Sequence, residues 1–263
     1  MSLPAAEAAA LGAAASHPMP AGWNGIHFLA ALYLAFGSQR AFDVTQAIGA
    51  AVRNPVSGFS GHVGAGMGVY AYFSGFIANS DTRGFRAELA DPQPSNPQTG
   101  HFFSYVVWAL DGIDDMEWQL ALGHELYPDS GEADQFTQQW QAGLWDAGAL
   151  RSIVVALPQD ASVNLNFAAL DREFRSHGWD ARMVPFQPVG EGYSDEAHAL
   201  SWYDPHPYTG NSIEDLRCTV AGFQFGRLIR SGRFADATAA ARWLERNVLD
   251  GSLRELDFTP AAP

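Results

Sequence analysis

Cysteine occurs once, at Cys218, so no internal disulfide can form and nothing in the sequence indicates oxidative stabilisation. Charge is scarce as well. Only 17% of the 263 residues are charged, against 47% that are hydrophobic. A chain so sparing of charge needs a large buried fraction or adhesive surfaces, and it is too apolar to stay disordered over most of its length. Basic residues are few: 15 arginines, scattered along the chain, stand against 29 acidic residues and leave a net charge of −14. Such a field repels phosphate backbones and disfavours nucleic-acid binding over a broad surface, leaving only a local basic groove open.

Several strong catalytic patterns are missing too. There is no HExxH and no GxSxG, which argues against a zincin and against an ordinary α/β-hydrolase. The glycine-rich run at 61–68 (GHVGAGMG) has no phosphate-loop Lys-Ser/Thr and does not match GxGxxG, so tight helix packing explains it better than a nucleotide. Residues 1–20 are rich in alanine but contain no Lys or Arg, and Glu7 stands where a secretion signal carries positive charge. This predicts a non-cleaved arm or a first helix, and a protein that is cytoplasmic or exported without a cleavable signal.

What the chain does contain is helical periodicity. The expected fold is all-α or mainly α: a single domain over 21–263, arranged as an orthogonal helical bundle, with an apolar sub-region at 21–80 and a long irregular loop region near 185–210. The stretches 23–36 and 54–80 carry no charge. Asn, His and Gly interrupt both, and Ser the second, whereas a membrane-spanning helix needs about 20 mostly apolar residues. Core helices are the favoured reading, and membrane contact through these two stretches is the alternative.

Further on, the prolines of 91–99 (DPQPSNPQT) demand a loop. Thr99 is then placed to cap a helix that starts near Gly100 and ends at Asp111-Gly112. A second helix is expected from Asp114 or Asp115 to Pro128, and a third over 132–145. Residues 153–157 (IVVAL) suit a short strand or a helix end. The prolines and glycines of 185–210 exceed the usual connection length. Ser212, followed three residues later by Asp215, resembles a capping box opening a helix with apolar Ile213, Leu216, Val220, Phe223 and Leu228. A last helix is expected from about Asp236 to Val248. Cys218 lies in an apolar helical register, which favours an inert buried thiol over a nucleophile.

The candidate chemistry lies in the proposed hairpin. His101 lies twelve residues before a turn centred near Ile113, and His124 eleven after it. In an antiparallel pair, equal distances from the turn give equal heights, so His101 and the His124-Glu125 pair should share one open end, with Asp129 close by. Two imidazoles and two carboxylates can hold a divalent metal such as zinc, with His101, His124 and Glu125 as ligands, or they can run metal-free acid–base chemistry. Structural roles as ion-pair partners and polar niches compete with both readings, and His124 and Glu125 point about 100° apart on a helix. Asn211, Ser212 and Asp215 form a second candidate group, a pocket wall opposite the hairpin, although capping alone accounts for them. Asp204 and His206 qualify only as outer-shell partners.

Three segments carry a resemblance: FRAELADPQPSNPQTGHF at 85–102, ALGHE at 121–125 and GNSIEDLRCTVAGFQFG at 210–226. Their order, GHF, GHE, then GNSxxDL ending in FG, resembles an uncharacterised group of bacterial proteins and is loosely similar to helical toxin-like domains with a His-rich helix followed by an AHE-type helix. Together these segments make up 40 of the 263 residues, in scattered pieces. The resemblance implies which residues matter: His101, His124, Glu125, Asn211, Ser212 and Asp215. Cys218 and the proline at 97 depart from the plainer pattern of that group without touching the charged set.

The leading expectation is therefore a hydrolase-like enzyme that activates water with His101, His124 and Glu125, acting on a cell-envelope polymer, a lipid or a small ester. The alternative is a non-enzymatic effector, membrane-active module or assembly protein in which the same cluster is structural.

Overall fold

The structure, a computed structural model, describes residues 23–51, 84–90, 98–112, 157–176, 213–251 and 253. Six helices account for most of them: α1 (Gly25–Phe36), α2 (Ala41–Ala51), α3 (Gln98–Asp111), α4 (Phe167–Ser176), α5 (Ile213–Arg230) and α6 (Ala237–Asn247). No strand occurs among the described residues; an isolated antiparallel bridge joins Phe85 to Leu249. The protein is mainly α, as its periodicity predicts. The arm at 1–20, the stretch 54–80, the helices expected over 114–128 and 132–145, the short apolar run up to 156 and the loop region at 185–210 all lie outside the described residues.

The uncharged segment 23–36 forms a core helix. Asn24 caps α1, and every residue from Gly25 to Tyr33 is buried. A helix that is apolar on all sides has no face to offer water, so it must be enclosed. Its C-terminus closes at Gly37, where φ is +55° and the amide donates to Tyr33 and Leu34, each at 3.1 Å. At 12 residues α1 is short, and among the described residues no helix is long and apolar enough to cross a membrane.

α6 packs chiefly against α1. Asp236 caps it by accepting from the Ala239 amide at 2.8 Å, as the Asp-initiated helix in the sequence leads one to expect. Its buried positions (Ala237, Ala240, Ala241, Trp243, Leu244 and Asn247) recur at three- and four-residue spacing, while Arg242 and Glu245 pair outside at 2.7 Å.

The most extensive helix contact joins α3 and α5. Cys218 Sγ meets the Gln98 carbonyl at 3.3 Å. A methyl group on Gly222 would overlap the Phe102 carbonyl oxygen, and a Cβ on Gly226 would lie 2.6 Å from the Val106 oxygen. The pairs 98/218, 102/222 and 106/226 keep one constant offset and rise together, so the two helices run in the same direction with their backbones in contact. Cys218, Gly222 and Gly226 share one face at four-residue spacing, and the absence of a side chain at two of them creates the groove. At the far end the Arg230 guanidinium lies against Gly112, beside the C-terminus of α3, where a cation complements the helix dipole.

One boundary differs from expectation. α3 begins at Gln98, so Thr99 lies in its first turn and does not cap it. Gln98 and Thr99 are buried, and the Cys218 contact adds to the packing there. The contact of Gln98 with α5 accompanies this earlier start.

The core converges on Phe225. Its ring lies 6.0 Å from Tyr33 of α1, 6.0 Å from Phe102 of α3 and 5.4 Å from Trp243 of α6, with Phe234 at 5.6 Å from the turn between α5 and α6. Around this core, irregular segments are held by backbone and side-chain hydrogen bonds. Arg86 N donates to Val248 O and Asp250 N to Gly84 O, each at 3.0 Å. Asn247 accepts from the Leu165 amide at 2.7 Å and donates to Trp243 O at 2.9 Å. Asn166 then caps α4, accepting from the Ala169 amide at 3.0 Å.

Candidate functional site

Two of the candidate site residues lie on described helices. His101 is the fourth residue of α3, and Asp215 is the third of α5. Because the helices are parallel, both lie at the end where the two helices start. They are not level. The constant offset places His101 beside Ala221, six residues further along α5 than Asp215, which is about 9 Å along the axis at 1.5 Å per residue. The backbone therefore brings the two segments to one end without stacking these two positions. His124, Glu125, Asp129, Asn211 and Ser212, together with Asp204 and His206, lie outside the described residues.

The same end carries an ion cluster that spacing alone does not reveal. Arg217, one turn into α5, grips Asp171 of α4 with two hydrogen bonds, Nε to Oδ1 at 3.0 Å and Nη2 to Oδ2 at 2.6 Å. Its Nη1 donates to the Glu88 carbonyl at 2.9 Å and lies 3.9 Å from Glu214. Burial works against the guanidinium charge, but the bond to Asp171 and the fields of Asp171, Glu214 and Glu88 outweigh it, and the arginine is held more firmly protonated than usual. Glu88 is itself held below the ordinary carboxylate range, first by its bond from Arg86 (3.1 Å). A bidentate Arg–carboxylate pair fixes geometry as well as charge. Here it ties α4, α5 and the segment 84–90 into one frame beneath the start of α5. Among the described residues no group of three or more His, Cys, Asp or Glu side chains is placed to hold a metal ion.

Cys218 has no exposed surface. Its sulfur lies in the α3–α5 contact, so the buried-thiol expectation fits what is seen. Thr219 and Gln224 are buried on α5, and Thr219 Oγ1 and Gln224 Oε1 have no hydrogen-bond partner; the Gln224 amide nitrogen donates to the Pro158 carbonyl.

A second polar constellation, also absent from the sequence reading, opens α1. Asn24 Oδ1 accepts from the amides of Ile26 (2.9 Å) and His27 (3.1 Å), while His27 Nδ1 accepts from the Asn24 amide at 3.2 Å. This is a capping box with histidine in the place usually held by Glu or Gln. The Trp23 ring stacks on the imidazole at 5.4 Å. Burial depresses the His27 titration from 6.5 to about 4, with Asp250 pulling weakly the other way. The signal for it was Asn24-x-x-His27 just ahead of an apolar run, a spacing that a search limited to Glu or Gln passes over.

A surface depression of about 320 Å³ lies between the start of α2 and the α5–α6 turn, lined by Arg40, Phe42, Ile229 and Phe234. It contains none of the residues expected to act. No family model, no curated protein and no solved structure matches the chain.

Proposed function

We propose that the protein is a hydrolase-like enzyme whose water-activating groups gather at the end of the α3–α5 pair where both helices begin. The observation that supports this reading is the parallel register of α3 and α5: it brings the GHF segment and the IEDL segment, far apart in sequence, to a common end. In this proposal His101 acts with His124 and Glu125 as general base and its partners, with Asp129 nearby. Asn211, Ser212 and Asp215 supply the opposite wall. If a divalent metal takes part, His101, His124 and Glu125 are its ligands, and its chemistry is the activation of a bound water. The positive ends of the two helix dipoles would favour the negative charge that develops on an attacked ester or amide.

The test uses the full chain, assayed against nitrophenyl esters, phosphate esters and peptidoglycan fragments, with elemental analysis alongside. His124→Ala and Glu125→Gln should each abolish whatever turnover the wild type shows, with the thermal midpoint unchanged. Metal stoichiometry should fall in a His101→Ala/His124→Ala double variant if the metal-dependent form holds. Wild-type turnover that survives both single changes overturns the assignment.

A further inference from the structure

We propose that the first turn of α1 is an acid-sensitive latch, closed by a capping box that requires a neutral imidazole at His27. The device is built from two reciprocal bonds. Asn24 Oδ1 serves the amides of Ile26 and His27, and His27 Nδ1 serves the amide of Asn24. An imidazolium has a proton on both nitrogens and cannot accept, so protonation removes the second bond outright. The new Nδ1–H then faces Asn24 Oδ1, 3.0 Å away, and competes with the two amides that this oxygen already serves. The new charge also sits at the positive end of the helix dipole and in a nearly solvent-free setting, His27 being 3% exposed.

Among the described residues little offsets that cost. α1 has no charged residue of its own. Of the elements packed on it, α2 carries Asp43 and α6 carries Arg242, Glu245 and Arg246, but the field that reaches His27 comes from Asp250, just beyond α6. Trp23 contributes a stacked ring face and no hydrogen-bond acceptor. Burial therefore dominates, and the closed turn holds its imidazole neutral down to about pH 4.

The opened turn exposes His27 to water, where it titrates near 6.5. Opening thus becomes easier as pH falls from about 6.5 towards 4, by roughly 30-fold at pH 5 and by a limiting factor of roughly 300 below pH 4. Opening would bare Ile26 and Phe28, which are 0% and 6% exposed when closed.

Hydrogen exchange of the full chain, followed from pH 7 to pH 4.5 and corrected for intrinsic rates, tests this. The amides of Ile26, His27 and Phe28 should lose protection by roughly 30-fold at pH 5, while those in the middle of α3 and α5 hold. In His27→Gln the box is kept by a side chain that does not titrate, and the loss should vanish. Asp250→Asn removes the carboxylate that favours the imidazolium in the closed turn, so the loss should still set in near pH 6.5 and be somewhat larger at pH 4.5 than in the wild type. Protection at these three amides that stays constant down to pH 4.5, or that falls equally in His27→Gln, overturns the proposal. Should His27→Gln not fold, imidazole NMR of the wild type decides: a His27 resonance titrating near 6.5 with the turn still protected is equally fatal to it.

Discussion

At the scale of single residues, the polar side chains that matter most here are buried and fully engaged. His27 is one. Its folded titration lies below its unfolded one, so above pH 6.5 both states are neutral and stability is at its full value. Between 6.5 and about 4 the unfolded chain takes up the proton first, and stability is lost as pH falls. The total amounts to about 3 kcal/mol for a group so well enclosed. Urea unfolding at pH 7 and pH 4.5 should therefore differ more for the wild type than for His27→Gln. Asn247 is another such residue. It holds the Leu165 amide and the Trp243 carbonyl at once; the carbonyl keeps its helical backbone bond, so Asn247→Leu leaves the buried Leu165 amide unpaired and should cost about 1–3 kcal/mol in a denaturant midpoint comparison. Neither role is visible from composition. An asparagine near a helix end reads as a generic cap until its partner from a distant loop is known.

At the scale of elements, legibility followed helix autonomy. α6 announced itself through Asp236 and its three- and four-residue apolar spacing, and α5 through Leu216, Val220, Phe223 and Leu228, all buried. α4 gives a weaker signal: half of its residues are polar, and the buried positions among its described side chains are Phe167 and Leu170. The close approach of α3 and α5 was missed, although GFQFG was in view as part of a motif. Its glycines read as a signature, whereas their physical role is to let the Phe102 and Val106 carbonyls approach the backbone of α5. Gly222→Ala should therefore be among the more costly single-methyl changes in the protein, about 3 kcal/mol, because the obstacle is backbone and cannot rotate away. Gly232→Ala is the control. It has open space around it but sits at φ +64°, so its cost comes from backbone strain alone and should be about 1 kcal/mol. Thermal melts of the two variants would separate steric overlap from strain.

At the scale of the whole molecule, Phe225 and Arg217 play complementary parts. Phe225 packs against aromatic rings from α1, α3, α6 and the turn before α6, so one side chain links three helices in the core. Arg217 does for the polar periphery what Phe225 does for the core, binding α4 and the segment 84–90 to α5. An Arg217→Met/Asp171→Leu double-mutant cycle should give a coupling of about 1–3 kcal/mol, more than an exposed pair yields, because both side chains are 16% exposed and the pairing is bidentate. A coupling indistinguishable from zero would mean that the pair follows the packing and does not create it. The proposed site rests on the same frame: the ion cluster stiffens the start of α5, the wall on which Asp215 is placed.

Local information was enough for the helical class, for the burial of residues 23–36 and for the ends of α6, because periodicity, capping and the cost of wetting an uncharged helix act within a few residues of one another. Which helices meet, in what direction and with which carbonyl against which glycine was decided only by tertiary packing. Gln98 and Cys218 are 120 positions apart, and no periodic signal spans such a distance. The parallel course of α3 and α5, which gives His101 and Asp215 a common end and leaves them about 9 Å apart in height, follows from the closest fit of two backbones, a property of the pair that neither segment encodes alone.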